Sequence, residues 1–159
     1  MGSDSDLEIM KEGSDVLREF GVPHDIQVLS AHRSPELVRE FISNAKKNGY
    51  GVIIAGAGGA AHLAGVCAAH TILPVIGVPI NATPLNGFDA LLATVQMPAG
   101  IPVATVAVGK AGARNAGILA VQILATADTE LAKKLDQFKK KMEDGVKEKN
   151  VKLKAQLAH

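Results

Sequence analysis

The chain has 159 residues, of which 47% are hydrophobic and 3% aromatic, with a formal net charge of +1 and a single cysteine, Cys67. This length suits one compact domain, and the nearly balanced charge offers no general attraction to nucleic acid or to a membrane surface. No apolar run approaches the ~20 residues of a membrane-spanning helix, and one cysteine cannot form an internal disulfide. We therefore expect a cytoplasmic protein that binds neither nucleic acid nor membrane.

Strand and helix patterns alternate from the start of the chain. A helix capped by Asp6 is predicted to run to about Phe20, with Ile9, Gly13, Val16 and Phe20 on one apolar stripe. The segment 24–29 is predicted to follow it as a strand. Ser34 stands directly before a proline, which is a typical helix start, and the helix that begins there is expected to end at Gly49.

Short continuous apolar runs indicate further strands that are covered on both faces. These strands are predicted at 52–55, 73–79 and 102–108, with helices at 60–69, 87–94 and 112–127. Alternating elements of this kind favour an α/β fold with a parallel sheet between two helical layers. We expect residues 1–127 to form a single α/β catalytic domain.

Residues 128–159 have a different composition, rich in lysine with interleaved acidic residues. Their apolar positions recur at helical spacing, at Leu131, Leu135, Phe138 and Met142. This pattern predicts a long amphipathic C-terminal helix and tail. Its narrow apolar stripe needs a partner surface, and we expect that surface to belong to a neighbouring subunit.

Polar or glycine-rich segments lie at the predicted ends of the strands, where open parallel sheets bind their ligands. They are residues 2–6, 30–35, 55–62 and 81–87. The first of them, GSDSD, precedes a helix whose unpaired N–H groups suit a phosphate. The alternative is a simple serine and aspartate cap without any ligand.

His32 and Arg33 lie between a predicted strand and a predicted helix. Arginine can hold a phosphate through two parallel hydrogen bonds, and histidine can give or take a proton near neutral pH. A lone histidine is more often structural, but its position beside arginine at a strand end favours a functional role.

The glycine-rich segment contains Gly56, Gly58 and Ala61 at the spacing of a dinucleotide-binding fingerprint. Such a site also needs an acidic residue about 20 positions later, and none occurs between Glu40 and Asp89. The segment is therefore expected to bring backbone close to a small ligand. The histidines and the cysteine show no metal-binding spacing, so the residue pattern predicts no metal site.

Six segments in order along residues 1–127 resemble the single-domain N5-carboxyaminoimidazole ribonucleotide mutases of the PurE family. They are GSDSD, SAHRSP, AGAGGAAHLAG, PVIGVP, LNGFDALLATVQMPAGIPVATVAVG and AGARNAGILA. The arginine of SAHRSP and the AGAGGAAHL segment are similar to the bacterial branch. The animal branch, which uses free carbon dioxide, differs at both places.

This resemblance implies a three-layer α/β/α sandwich with flavodoxin-like strand order, assembled as a homo-octamer. It implies an isomerase of purine (IMP) biosynthesis that needs no metal or cofactor. The reaction would move the carboxylate of N5-carboxyaminoimidazole ribonucleotide to the 4-carboxy position by decarboxylation and recarboxylation. Two alternatives stay open: an aminoimidazole ribonucleotide carboxylase that uses free carbon dioxide, and a non-catalytic nucleotide-binding protein.

The resemblance also implies roles for individual residues. His32 would be the general acid and base. The ribonucleotide would be bound by Ser3, Asp6, Ser30, Ala31 and Arg33, and the opposite wall of the site would consist of Gly58, Gly59, Ala60, His62 and Leu63.

The chain departs from the family pattern in three places of interest. Ala64 stands where the family usually has proline, and Ala90 stands where it often has serine. The family also has an apolar strand directly before GSDSD, at the centre of the sheet. We therefore expect the sequence as given to start late, which the intact mass of the purified protein would check.

Overall fold

A computed structural model describes residues 1–157, and the final two residues lie outside the described part. Within that range three strands form one parallel sheet in the order β1-β2-β3. The strands are β1 (Ile53–Gly58), β2 (Val75–Ile80) and β3 (Ala104–Thr105). A 3-10 turn over Asp4–Asp6 opens the helical elements, which are α1 (Leu7–Phe20), α2 (Pro35–Ala45), α3 (Leu63–His70), α4 (Phe88–Val95), α5 (Gly109–Ala125) and α6 (Thr129–Leu157).

The sheet lies between two helical layers, so the predicted α/β/α sandwich and the long C-terminal helix are confirmed. Helices α1, α5 and α6 cover one face of the sheet around Ile76 and Val78 of β2. Helices α2 and α3 cover the other face around Ile53 and Ala55 of β1. Alternation of side chains along each strand supplies both cores, because successive residues point to opposite faces.

Helices α1 and α5 pack unusually closely, through glycines. A Cβ atom on Gly13 would lie 2.8 Å from the carbonyl oxygen of Ala113, and one on Gly117 would lie 2.7 Å from the carbonyl oxygen of Gly13. The predicted apolar stripe of α1 is confirmed, since Val16 and Phe20 are buried against α5.

The prediction of a strand over 24–29 is wrong. These residues have no strand assignment, and the backbone bonds that they make across the sheet go to Met1. A strand needs a neighbour along its length, and beside most of this segment lies a groove of about 390 Å³ instead. We refer to residues 22–29 as the wall segment, because they form one side of that groove and β1 forms the other.

Strand β3 is also shorter than the predicted run 102–108. Pro102 has no N–H group to donate, and β3 has a single neighbour in the described sheet. Its pairing ends with the bond from Val106 N–H to the Gly77 carbonyl at 3.1 Å.

The two predicted helix caps are formed differently from the expectation. Asp6 makes no side-chain bond to the start of α1, and Ser3 caps the preceding 3-10 turn. Ser34 makes no cap bond to α2, because its hydroxyl bonds both the N–H and the carbonyl of Ser30. Helix α2 ends at Ala45, ahead of the turn through Gly49.

The first part of helix α6 packs against the core of its own chain. Leu131, Leu135 and Phe138 pack against the core formed by α1 and α5, and the rings of Phe20 and Phe138 meet edge to face at 5.6 Å. Met142, by contrast, is exposed. No helix within residues 1–157 is long and apolar enough to cross a membrane.

Candidate functional site

Four segments meet at the carboxyl end of the sheet, as parallel strands require. A hydrogen bond joins Arg33 to the carbonyl oxygen of Gly2, and another joins His32 to His62. A Cβ atom on Gly58 would lie 2.7 Å from the Cβ of Ala82, so the loop after β2 lies against the end of β1. The polar segments that the sequence placed at strand ends are therefore neighbours in space.

The first segment folds into a tight polar turn. Ser3 adopts an extended backbone, and its hydroxyl accepts from the N–H of Ser5 at 3.4 Å. The Ser3 N–H in turn donates to a carboxylate oxygen of Asp6 at 3.2 Å, which completes a capping box. This turn holds two serine hydroxyls, 2.9 Å apart, at the opening of the site.

Asp6 is the one acidic side chain of this turn that is buried, with 6% of its surface exposed. Burial raises the pKa of its carboxyl above the ordinary value, and the hydrogen bond from Ser3 opposes that rise. The ionised carboxylate therefore destabilises the fold relative to a neutral side chain.

Replacing Asp6 with asparagine should change how stability depends on pH. A raised pKa in the fold means that the contribution of Asp6 to stability is complete below the pKa of the unfolded chain and is lost as pH rises through the raised value. The variant keeps an acceptor for Ser3 but has no charge to bury. Urea unfolding should show that the free energy of unfolding of the variant, minus that of the wild type, increases as the pH rises from about 4 to about 7. A decrease in this difference over the same pH range would contradict the expectation.

Arg33 lies at the mouth of the site and connects two of its segments. One terminal nitrogen of the guanidinium donates to the carbonyl oxygen of Gly2 at 2.9 Å, and Nε lies 3.4 Å from the hydroxyl of Ser30. The Ser30 hydroxyl also accepts the Arg33 backbone N–H at 3.1 Å. Arg33 is exposed, so its remaining donors face solvent and are available to an anion.

His32 and His62 form the chemical centre of the arrangement. His32 Nε2 and His62 Nδ1 are 2.7 Å apart, and the two rings meet edge to face. One of these nitrogens must carry the proton and the other must accept it. The pair can therefore hold one mobile proton between two exposed imidazoles.

The glycine turn after β1 forms the opposite wall. Gly59 and Ala61 both have a left-handed backbone, with φ of 60° and 45°. Gly58 has no room for a side chain because of Ala82, and Ala60 is exposed. Backbone rather than large side chains therefore lines this wall, and its contact with a ligand stays a prediction.

Two of the predicted binding residues point elsewhere. The Leu63 side chain is buried among α2 and α3, and Ala31 packs against the same core. Both can reach a ligand through backbone groups only. Ala64 and Ala90 are also buried, so these two departures from the family pattern concern packing.

The sequence did not single out Thr83 and Asp89, which shape the loop after β2. The Thr83 hydroxyl donates to one carboxylate oxygen of Asp89 at 2.7 Å. The second oxygen, Oδ1, is buried and has no hydrogen-bond partner in the described residues. No pattern marks such a pair, although the loop itself was predicted to line the site. Within residues 1–157 no three His, Cys, Asp or Glu side chains are grouped closely enough to hold a metal ion.

Comparison with known proteins gives a consistent assignment. The family described as AIR carboxylase matches residues 1–145. The chain is 58% identical over 137 residues to the N5-carboxyaminoimidazole ribonucleotide mutase of Bacillus subtilis, covering 86% of this chain and 85% of that protein. It is 60% identical over 136 residues to the mutase of the same name from Aquifex aeolicus, covering 86% and 80%.

A solved structure supports the same assignment. The crystal structure of Treponema denticola PurE superposes with a TM-score of 0.85 at 26% identity, covering 96% of this chain and 94% of that one. The family match covers most of the chain, and the two relatives exceed half identity over most of their own length. The chain therefore belongs to the AIR carboxylase family.

Proposed function

We propose that the chain converts N5-carboxyaminoimidazole ribonucleotide into its 4-carboxy isomer, as an isomerase of purine biosynthesis. The observation that carries this proposal is the hydrogen-bonded pair of His32 and His62 at the end of the sheet. Beside it lie a serine turn and an exposed arginine, which suit a nucleotide phosphate. The relatives named as mutases are more than half identical to this chain.

Substrate binding is assigned to the segments around the pair. Ser3 and Arg33 hold the phosphate end of the ribonucleotide, and Asp6 accepts a hydrogen bond from a hydroxyl of its ribose. Ser30 fixes Arg33 through the bonds described above. The backbone of Gly58–Leu63 forms the opposite wall, which is supported by the lack of space for side chains at Gly58.

The first chemical step is decarboxylation. His32 as imidazolium gives its proton to the nitrogen that bears the carboxylate. The bond between nitrogen and carbon breaks, its electron pair stays on nitrogen, and carbon dioxide leaves. His62 can stabilise the imidazolium beforehand, because Nδ1 of His62 can accept the proton on Nε2 of His32.

The second step is recarboxylation of the ring. The C4 carbon attacks the carbon dioxide held beside it, and a carbon–carbon bond forms with the carboxylate. Neutral His32 then takes the ring proton from C4, which restores the aromatic ring and the starting imidazolium. One residue thus serves as acid and then as base. Holding carbon dioxide in place replaces an encounter in solution with an oriented contact.

Replacing Arg33 with alanine should weaken substrate binding far more than the chemistry. Loss of charged hydrogen bonds is expected to raise KM by about 10–100-fold, with kcat nearly unchanged. Steady-state kinetics measures both constants. Arg39→Ala is the matched control, since this exposed arginine of α2 pairs with Glu36 rather than with the site. A fall in kcat with normal KM would contradict the binding role of Arg33.

The activity itself is tested with substrate that carries a carbon label in its carboxylate, in unlabelled bicarbonate. Retention of the label in the 4-carboxy product, measured by carbon NMR, is the expected result. Dilution of the label would mean a carboxylase that uses free carbon dioxide. No conversion, with binding intact, would mean a nucleotide-binding protein without catalysis.

We also propose a homo-octamer in the cytoplasm, with α6 packed on a neighbouring subunit. Exposed apolar side chains support self-association: Phe88 and Leu92 on α4, and Met142 and Val146 on α6. Burying a surface of this kind between copies would stabilise the assembly. The single cysteine is buried and reduced, which suits the cytoplasm.

Sedimentation should therefore give about eight times the 16.5 kDa mass of one chain. Val146→Glu should shift the protein to smaller species, because it puts a charge on an exposed apolar surface that the assembly would bury. Lys149→Glu, on the same helix but with no apolar group lost, is the control. A wild type that sediments as a single chain would contradict the assembly.

A further inference from the structure

The loop after β2, residues 81–87, lies directly against the glycine turn after β1. A Cβ atom on Gly58 would lie 2.7 Å from the Cβ of Ala82, and one on Gly59 would lie 3.7 Å from the methyl carbon of Thr83. Contacts as close as the one at Gly58 leave no gap that could absorb a shift of the loop. The position of the glycine turn therefore depends on the position of residues 82 and 83.

The glycine turn leads directly to His62. The Ala61 N–H donates to the Gly58 carbonyl at 3.1 Å, which closes the turn, and Ala61 is only 5% exposed. His62 comes next, immediately before the first residue of α3, and its carbonyl accepts the N–H of Val66 at 3.0 Å. His62 is thus held by α3 on its carboxyl side and by the turn on its amino side. A loosened turn would leave only α3 to hold it.

Thr83 is the residue that connects the loop after β2 to α4. Its hydroxyl accepts the N–H of Leu85 at 3.2 Å and donates to Asp89 Oδ2 at 2.7 Å. The bond from Leu85 orients the hydroxyl, and the carboxylate that receives its proton makes the second bond a charge-assisted one. The Thr83 carbonyl also accepts the N–H of Asn86 at 3.0 Å. Side chain and backbone of Thr83 therefore both hold the loop in one conformation.

The carboxylate of Asp89 makes this bond although its other oxygen is unsatisfied. Oδ1 is buried and has no hydrogen-bond partner within residues 1–157. A buried acceptor without a partner typically destabilises a fold by more than an acidic residue in the first turn of a helix stabilises it. Stability of α4 alone would therefore not favour Asp89. The bond that Oδ2 accepts from Thr83 explains the residue better.

We propose that Thr83 and Asp89 are positioning residues for His62, which act through the glycine turn. The hydrogen bond between them fixes the loop, the loop supports Gly58 and Gly59, and the turn fixes His62 beside His32. This inference rests on the role of the histidine pair in the proposed function. Neither Thr83 nor Asp89 is assigned a contact with the ribonucleotide.

Thr83→Val tests the hydroxyl, because valine keeps a side chain of the same shape against Gly59. We expect kcat to fall by about 10–100-fold, since a misplacement of about 1 Å at a catalytic group has an effect of this size. KM should change by less than about threefold, because Ser3 and Arg33 are untouched. Thr83→Ser restores the hydroxyl and should keep kcat within about threefold of the wild type.

A double variant tests whether the two residues act as one unit. Asp89→Ala removes the acceptor and should lower kcat by a factor similar to that of Thr83→Val. The two changes together should lower kcat no further than the more harmful single change, because each breaks the same hydrogen bond. Asp128→Ala is the matched control: Asp128 is an acid at the start of α6, where it accepts the N–H groups of Glu130 and Leu131. It should leave kcat unchanged.

Amide hydrogen exchange by NMR tests the positioning without any substrate. In Thr83→Val, the N–H of Ala61 should exchange about tenfold faster or more, because the turn that it closes has lost its support. The N–H of Leu91 donates to the Gly87 carbonyl at 2.9 Å and reports on the start of α4 itself. Its exchange should change much less. A role confined to the stability of α4 would give the opposite pattern.

Three results would overturn the proposal. Wild-type kcat in Thr83→Val would remove the pair from the reaction. Faster exchange at Leu91 without a change at Ala61 would mean that the pair serves only the start of α4. Losses in kcat that multiply in the double variant would mean that the two residues act separately. A wild type without turnover would contradict the proposed function instead, and the exchange at Ala61 would then decide alone whether the pair positions the turn.

Discussion

Asparagine at position 32 is expected to lower kcat by about 10²–10⁴-fold, the range typical of a lost general acid and base. His32 is the exposed imidazole that shares a proton with His62, and asparagine cannot carry that proton to the substrate. Substrate affinity should change little, because the phosphate contacts are assigned to Ser3 and Arg33. Turnover of labelled substrate and binding by calorimetry measure the two effects separately.

His70→Asn is the matched control for this experiment. His70 is an exposed histidine at the end of α3 and makes none of the described contacts of the site. It should leave both turnover and binding unchanged. Near-normal turnover in His32→Asn would remove His32 from the catalytic role, whereas loss of binding would reassign it to substrate recognition.

Two glycine-to-alanine changes in helices should have opposite effects on stability. Gly117 lies within α5 where a Cβ would come 2.7 Å from the carbonyl oxygen of Gly13 and 2.9 Å from the Cβ of Val16. These are backbone and β-branched atoms, which cannot turn away. Gly117→Ala should therefore lower the free energy of unfolding by about 1–3 kcal/mol, as overpacking typically does.

Gly145 provides the comparison, within α6. A Cβ there meets nothing within 4 Å, so alanine adds only helix propensity. Gly145→Ala should raise the free energy of unfolding by up to about 1 kcal/mol. Urea unfolding of both variants at one protein concentration measures the difference. A stabilising Gly117→Ala would mean that α1 and α5 are less closely packed than described.

The parts of the fold that the sequence predicted are those set by local patterns. The stripe of α1 that includes Val16 and Phe20 was correct, and so was the buried run that becomes β2. The segment 24–29 has the composition of a strand, but a ladder depends on the neighbour beside it. No local pattern reports whether that neighbour is present.

The location of the site was predictable, because ligands of parallel sheets bind at the carboxyl ends of the strands. His32 and Arg33 follow the wall segment, which lies across the groove from β1, and the rule for parallel sheets was sufficient to place them at the opening. Their partners were not predictable from spacing, because His62 lies 30 positions from His32 and Gly2 lies 31 from Arg33. Side-chain direction was also not predictable: the Leu63 side chain lies in the core, so only the backbone of this residue can line the site as predicted.

Helix α6 has a packed half and an exposed half, and only the order of the exposed half should depend on protein concentration. Up to Phe138 the helix is fixed by the core and by the bond from Lys134 to the Phe20 carbonyl. Beyond it, exposed ion pairs such as Lys140 with Asp144 contribute little. In a dilute solution of single chains the distal half should fray and expose its lysines to trypsin. Resistance of the distal half to trypsin should rise with protein concentration, whereas that of the packed half should not. The rate of cleavage in the distal half would therefore measure assembly.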